Sequence, residues 1–62
     1  MNRLREIREQ KEMSLVELER KSGISRQTIY RLENEEENKA RIPTLRALAD
    51  ALGVKVSEFF DE

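Results

Sequence analysis

Apolar residues recur along this chain at helical spacing, and strand-like alternation is absent. Leu4 and Ile7 share one face of a first helix expected from Asn2 to Lys11, with Asn2 as its N-cap. Ser14 opens a second helix: with Glu17 it forms an S-x-x-E capping box, in which the serine hydroxyl accepts the N–H three residues on. Leu15 and Leu18 face inward, and Gly23 ends this helix in a left-handed conformation. Ser25 caps a third helix, whose Ile29 and Leu32 pack inward. The stretch 34–40 is polar and acidic up to Ala40 and reads as a loop. A fourth helix begins near Ile42, with Pro43 in the first turn, where its missing N–H costs nothing. Leu45, Leu48, Ala49 and Leu52 form its buried stripe, and Gly53 stops it. Val54 and Val56 then lead into a short final turn, capped by Ser57, that carries Phe59 and Phe60. The pattern predicts a single all-α domain over residues 1–62, a compact bundle of five short helices.

Within that bundle, residues 14–34 form two short helices joined by a tight turn, the helix-turn-helix arrangement. The second of the two exposes Arg26, Gln27, Tyr30 and Arg31, a polar face of the kind that lies along a DNA groove.

Composition narrows the alternatives. Sixty-two residues without cysteine or histidine have no disulfide, no thiolate or imidazole metal site and no histidine base. A chain this short needs well-packed helices or oligomerisation for stability. Enzymatic activity, cofactors and metals are not expected, because the many carboxylates lie on solvated helix faces where nothing perturbs their pKa. No apolar run has the length of a membrane span and there is no signal-peptide pattern, so the expected location is the cytoplasm. The net charge of −1 is unusual for a nucleic-acid binder, but its distribution is uneven. Residues 1–31 hold eight basic and five acidic residues, and residues 32–62 hold four basic and eight acidic. The positive half contains the candidate reading helix, and a local positive face suffices to meet phosphates.

Four segments in register make the chain resemble the Cro/cI-type helix-turn-helix proteins, the XRE family of phage repressors and small bacterial regulators. They are Ile7-Arg8-Glu9-Gln10-Lys11-Glu12-Met13-Ser14, Gly23-Ile24-Ser25 with Ile29, Glu33-Asn34, and the run from Thr44 to Val54. The resemblance covers Leu4 to Phe60. Three positions depart from the family pattern. Leu15 stands where the family usually has a phosphate-holding glutamine. Glu12 stands where it has a glycine, which sets an unfavourable left-handed conformation for a residue with a side chain. Glu35, Glu36 and Glu37 stand where the loop is usually basic.

The resemblance implies double-stranded DNA as the partner, read by the third helix in the major groove. Arg26 and Gln27, in its first turn, suit guanine and adenine edges respectively. Arg31 reaches a base or a phosphate. Tyr30 either touches the DNA or packs against the second helix. Taken without the resemblance, these four side chains would be an ordinary solvated helix face. Phosphate contacts are expected from Ser25, Thr28, Asn34 and Arg41 and from helix N-termini, with Ser25 serving first as a cap. Arg8 and Glu33 occupy family positions that form an ion pair between the first helix and the end of the third. Val54, Val56, Phe59 and Phe60 close the core, build a homodimer interface, or divide between the two roles. The expected function is a sequence-specific transcriptional regulator, a repressor on a near-palindromic operator. Two alternatives keep the fold: a protein-interaction module that does not bind DNA, and a DNA-binding antitoxin whose acidic loop grips a basic toxin.

Overall fold

The computed structural model describes residues 3–34 and 40–60, which form four α-helices and one 3-10 turn. The helices are α1 (Leu4–Gln10), α2 (Leu15–Ser22), α3 (Arg26–Asn34) and α4 (Ile42–Leu52), and the turn spans Val56–Phe59. The expected fifth helix is thus a single turn. Its bonds run over three residues, from the Glu58 N–H to the Lys55 carbonyl at 3.0 Å and from the Phe60 N–H to the Ser57 carbonyl at 3.3 Å. Phe60 is already extended and ends it. Its cap is Lys55 rather than Ser57, and the Glu58 carboxylate accepts the Lys55 N–H at 3.1 Å.

Local chemistry accounts for most boundaries. The Ser14 hydroxyl accepts the Glu17 N–H at 3.0 Å, starting α2. Gly23 and Gly53 end α2 and α4 at φ of 77° and 73°. Pro43 lies in the first turn of α4. Between α1 and α2, Glu12 takes φ 55°, the only non-glycine residue with positive φ among the described residues. α1 is shorter than expected; it starts after Arg3, and its expected cap Asn2 lies outside the described residues.

One core joins the elements. Leu4, Ile7, Leu18, Ile29, Leu32, Leu45, Leu48, Ala49, Leu52 and Phe59 are buried together. α2 packs on both α3 and α4, so it is the central brace of the bundle. Each buried leucine or isoleucine contributes about 1.5–3 kcal/mol relative to exposure. With its apolar face held in this core, α3 turns its polar face outward.

Candidate nucleic-acid interface

Ser25 sets the start of α3. Its hydroxyl accepts the Thr28 N–H at 3.2 Å and donates to the Thr28 hydroxyl at 2.9 Å. Ile29 and Leu32 bury one side of the helix, and Arg26, Gln27, Tyr30 and Arg31 are exposed on the other. Positions one, two, five and six of a helix share a face, so the four side chains form one surface. Tyr30 is 56% exposed, which leaves most of its ring outside any packing against α2. The side chains of Gln27 and Arg31 make no hydrogen bond or ion pair with another described residue.

Arg26 is placed differently. Its Nε lies 3.0 Å from Oε1 of Glu19, on α2. The other oxygen of the same carboxylate accepts the Arg26 backbone N–H at 3.1 Å. Two of the free N–H groups at the start of α3 are therefore taken, one by Glu19 and one by Ser25. These internal bonds leave fewer N–H groups at the start of α3 for a phosphate to meet.

The far end of α3 is tied to α1. Arg8 Nε donates to Glu33 Oε2 at 2.6 Å, and Arg8 Nη2 donates to Oε1 at 3.2 Å, a bidentate pair. The Glu33 side chain is 1% exposed and that of Arg8 11%. Arg8 Nη1 also donates to the Met13 carbonyl at 2.8 Å. The hydrogen bond to Glu33, outweighing the opposing effect of burial, holds the Arg8 guanidinium above its ordinary pKa. Arg5, which the sequence pattern did not single out, joins the cluster. Its Nε lies 3.4 Å from Glu33 Oε1, and its Nη2 donates to Asn34 Oδ1 at 3.0 Å. The Asn34 amide nitrogen donates in turn to the Tyr30 carbonyl at 2.7 Å, so both ends of that side chain are bonded within the protein.

The remaining expected contacts are scattered. Arg41 is exposed as the cap of α4, with no side-chain capping bond. Leu15, at the start of α2, is half-buried and packs against the core. The acidic positions Glu35, Glu36 and Glu37 lie outside the described residues. Of the four apolar residues expected to close the core or meet a second copy, Val54 and Val56 are half-buried against the core and Phe60 is 41% exposed. Phe59 is 0% exposed and fills the protein's own core, the first of the roles expected of this group.

Glu19 and Arg5 are the residues that sequence reasoning missed. Glu19 stands seven residues before Arg26, across the α2–α3 turn, and only the angle between the two helices brings them together. Among the described residues there is no cluster of potential metal ligands, and no helix is long and apolar enough to cross a membrane.

A short α2 braced on the core, a glycine turn and an α3 with one polar face outward define a helix-turn-helix protein. The helix-turn-helix family profile matches residues 4–59, nearly the whole chain, and the chain belongs to this family, in its XRE type. The family is one of DNA-binding regulatory domains and is not typically enzymatic. None of the curated proteins compared with the chain matches it.

Proposed function

We propose that this protein is a sequence-specific transcriptional regulator that docks α3 in the major groove and represses by occluding the polymerase. The observation that carries the reading is the outward face of α3. There Gln27 and Arg31 have no partner among the described residues, on a helix fixed at its far end by the Arg8–Glu33 pair. A fixed helix with free hydrogen-bonding side chains is what base readout requires. Arg26, Gln27, Tyr30 and Arg31 are the proposed base-contacting set. Arg41 is the proposed phosphate contact that keeps an exposed charge, while Ser25, Thr28 and Asn34 contribute through whatever their internal bonds leave free. A homodimer on a near-palindrome completes the reading, and the cytoplasm is the expected location.

Selection of bound sequences from a random DNA pool tests this directly. The expected result is one enriched site with two-fold symmetry, and loss of the enrichment in Gln27→Ala and Arg31→Ala. Specificity that survives both substitutions rules out Gln27 and Arg31 as readers. One observation favours a second reading, a protein-interaction module of the same fold: Leu15 is packed against the core where the family usually offers a phosphate-holding glutamine. A pool from which nothing is enriched at low salt would support that reading instead.

A further inference from the structure

The Glu19 carboxylate bridges two groups of one residue. One oxygen takes the Arg26 backbone N–H at 3.1 Å, and the other faces Arg26 Nε at 3.0 Å. The backbone bond anchors the carboxylate, and the anchored carboxylate then fixes the guanidinium. Arg26 has no further hydrogen bond or ion pair among the described residues, so its two terminal nitrogens remain available. Those nitrogens form the edge of the fork that can donate two parallel bonds to guanine O6 and N7. Arg26 is exposed and Glu19 half-buried, with 59% and 37% of their side-chain surfaces open to solvent, so the pair contributes little to stability. Its consequence is positional. An arginine left free at this point would sample many rotamers and attract any phosphate in reach.

We infer that Glu19 is a positioning residue for base recognition: it holds Arg26 by Nε so that the terminal nitrogens meet a guanine, and it cancels the charge that would draw Arg26 to phosphates. The inference rests on the DNA-reading function proposed above. It assigns a specificity role to a side chain on the bracing helix that need not touch DNA. The charge it removes from α3 also lowers affinity for unrelated sequences relative to the selected site.

The test compares the wild type, Glu19→Gln, Arg26→Ala and the double variant on the selected site and on each of its single base-pair changes. Glutamine keeps an oxygen that can accept the Arg26 N–H but loses the charge. Arg26→Ala identifies the base pair that Arg26 reads. Glu19→Gln is expected to reduce discrimination at that pair by about tenfold, the scale of one bidentate contact. Other positions should keep their discrimination, and binding to unrelated DNA should strengthen with a salt slope steeper by about one phosphate. In the Arg26→Ala background, Glu19→Gln should change discrimination at that pair no further. Unaltered discrimination at that pair overturns the inference. So does an equal loss at every position, which would mark Glu19 as a structural cap only, and so does a change in discrimination that persists without Arg26. If the wild type selects no sequence, the proposed function falls and takes the inference with it. If the wild type selects a site and only the Glu19→Gln result fails, the inference falls alone.

Discussion

Burying a carboxylate to 1% exposure is costly unless it is paired, and at Glu33 two arginines do the pairing. Arg8→Ala would leave that buried charge with Arg5 alone, at 3.4 Å. The expected loss is about 3 kcal/mol, most of what a domain of this size has, read as a collapse of the urea midpoint. Replacing both partners, as Arg8→Met with Glu33→Leu, should recover much of the loss, because no charge is then buried. Recovery should be incomplete, since the Met13 carbonyl loses its donor in either case. A double variant as unstable as Arg8→Ala would refute this account of the cluster. pH is no lever on Arg8. Its folded pKa is raised, so its contribution is complete below the ordinary arginine range and fades only as pH climbs beyond it. Glu12 carries the opposite opportunity. At φ 55° a side chain costs about 1 kcal/mol or more that glycine does not incur. Glu12→Gly should therefore raise the midpoint temperature by several degrees, less the entropy glycine adds to the unfolded chain, whereas Glu12→Val should lower it.

At the scale of elements, caps and stops were legible because their chemistry is local. Ser14, Ser25, Pro43, Gly23 and Gly53 act on backbone groups within a few residues, and the structure places each at the boundary its type demands. The strain at Glu12 was legible for the same reason, from a glycine position of the family occupied by a residue with a Cβ. What local pattern could not reveal depends on the angles between helices. The Glu19–Arg26 bridge, the inclusion of Arg5 in the Glu33 cluster and the choice of Phe59 over Phe60 for the core are all settled by packing. The last element was misread because Ser57 resembles a cap, while Glu58 can close a turn from Lys55 only when the chain is already bent. The α2–α3 turn offers a test of how far local conformation controls the motif. A Cβ built on Gly23 meets nothing within 4 Å, so Gly23→Ala costs only the left-handed backbone, about 1–2 kcal/mol. The fold should survive with a midpoint lowered by roughly 4–8 °C per kcal/mol. A larger loss, seen by thermal unfolding followed by circular dichroism, would mean that the angle between α2 and α3 had changed as well.

At the scale of the molecule, the two phenylalanines separate stability from assembly. Phe59 is wholly buried, and Phe59→Ala should cost about 3–5 kcal/mol, enough to unfold most of the population. Phe60 is 41% exposed, so Phe60→Ser should leave the monomer's unfolding midpoint nearly unchanged. Any effect of Phe60→Ser on DNA binding must then arise from contacts between copies. The protein has reason to need a second copy. Its net charge is −1, Leu15 is packed against the core, and Ser25, Thr28, Asn34 and Arg26 all have bonds inside the protein. A single domain so equipped neutralises few phosphates, and its affinity should fall only gently with salt. Two domains on half-sites about 34 Å apart would double the number of phosphate contacts and read both halves of a near-palindrome. We therefore expect wild-type binding to a two-half-site DNA to depend steeply on protein concentration, with a salt slope about twice that on a single half-site. In Phe60→Ser the dependence should become shallow and the two slopes should converge. Sedimentation and fluorescence anisotropy on the same samples would decide it. If the variant binds the full site as cooperatively as the wild type, the second copy is held elsewhere than at Phe60, and Val54 and Val56 serve only to close the monomer's core.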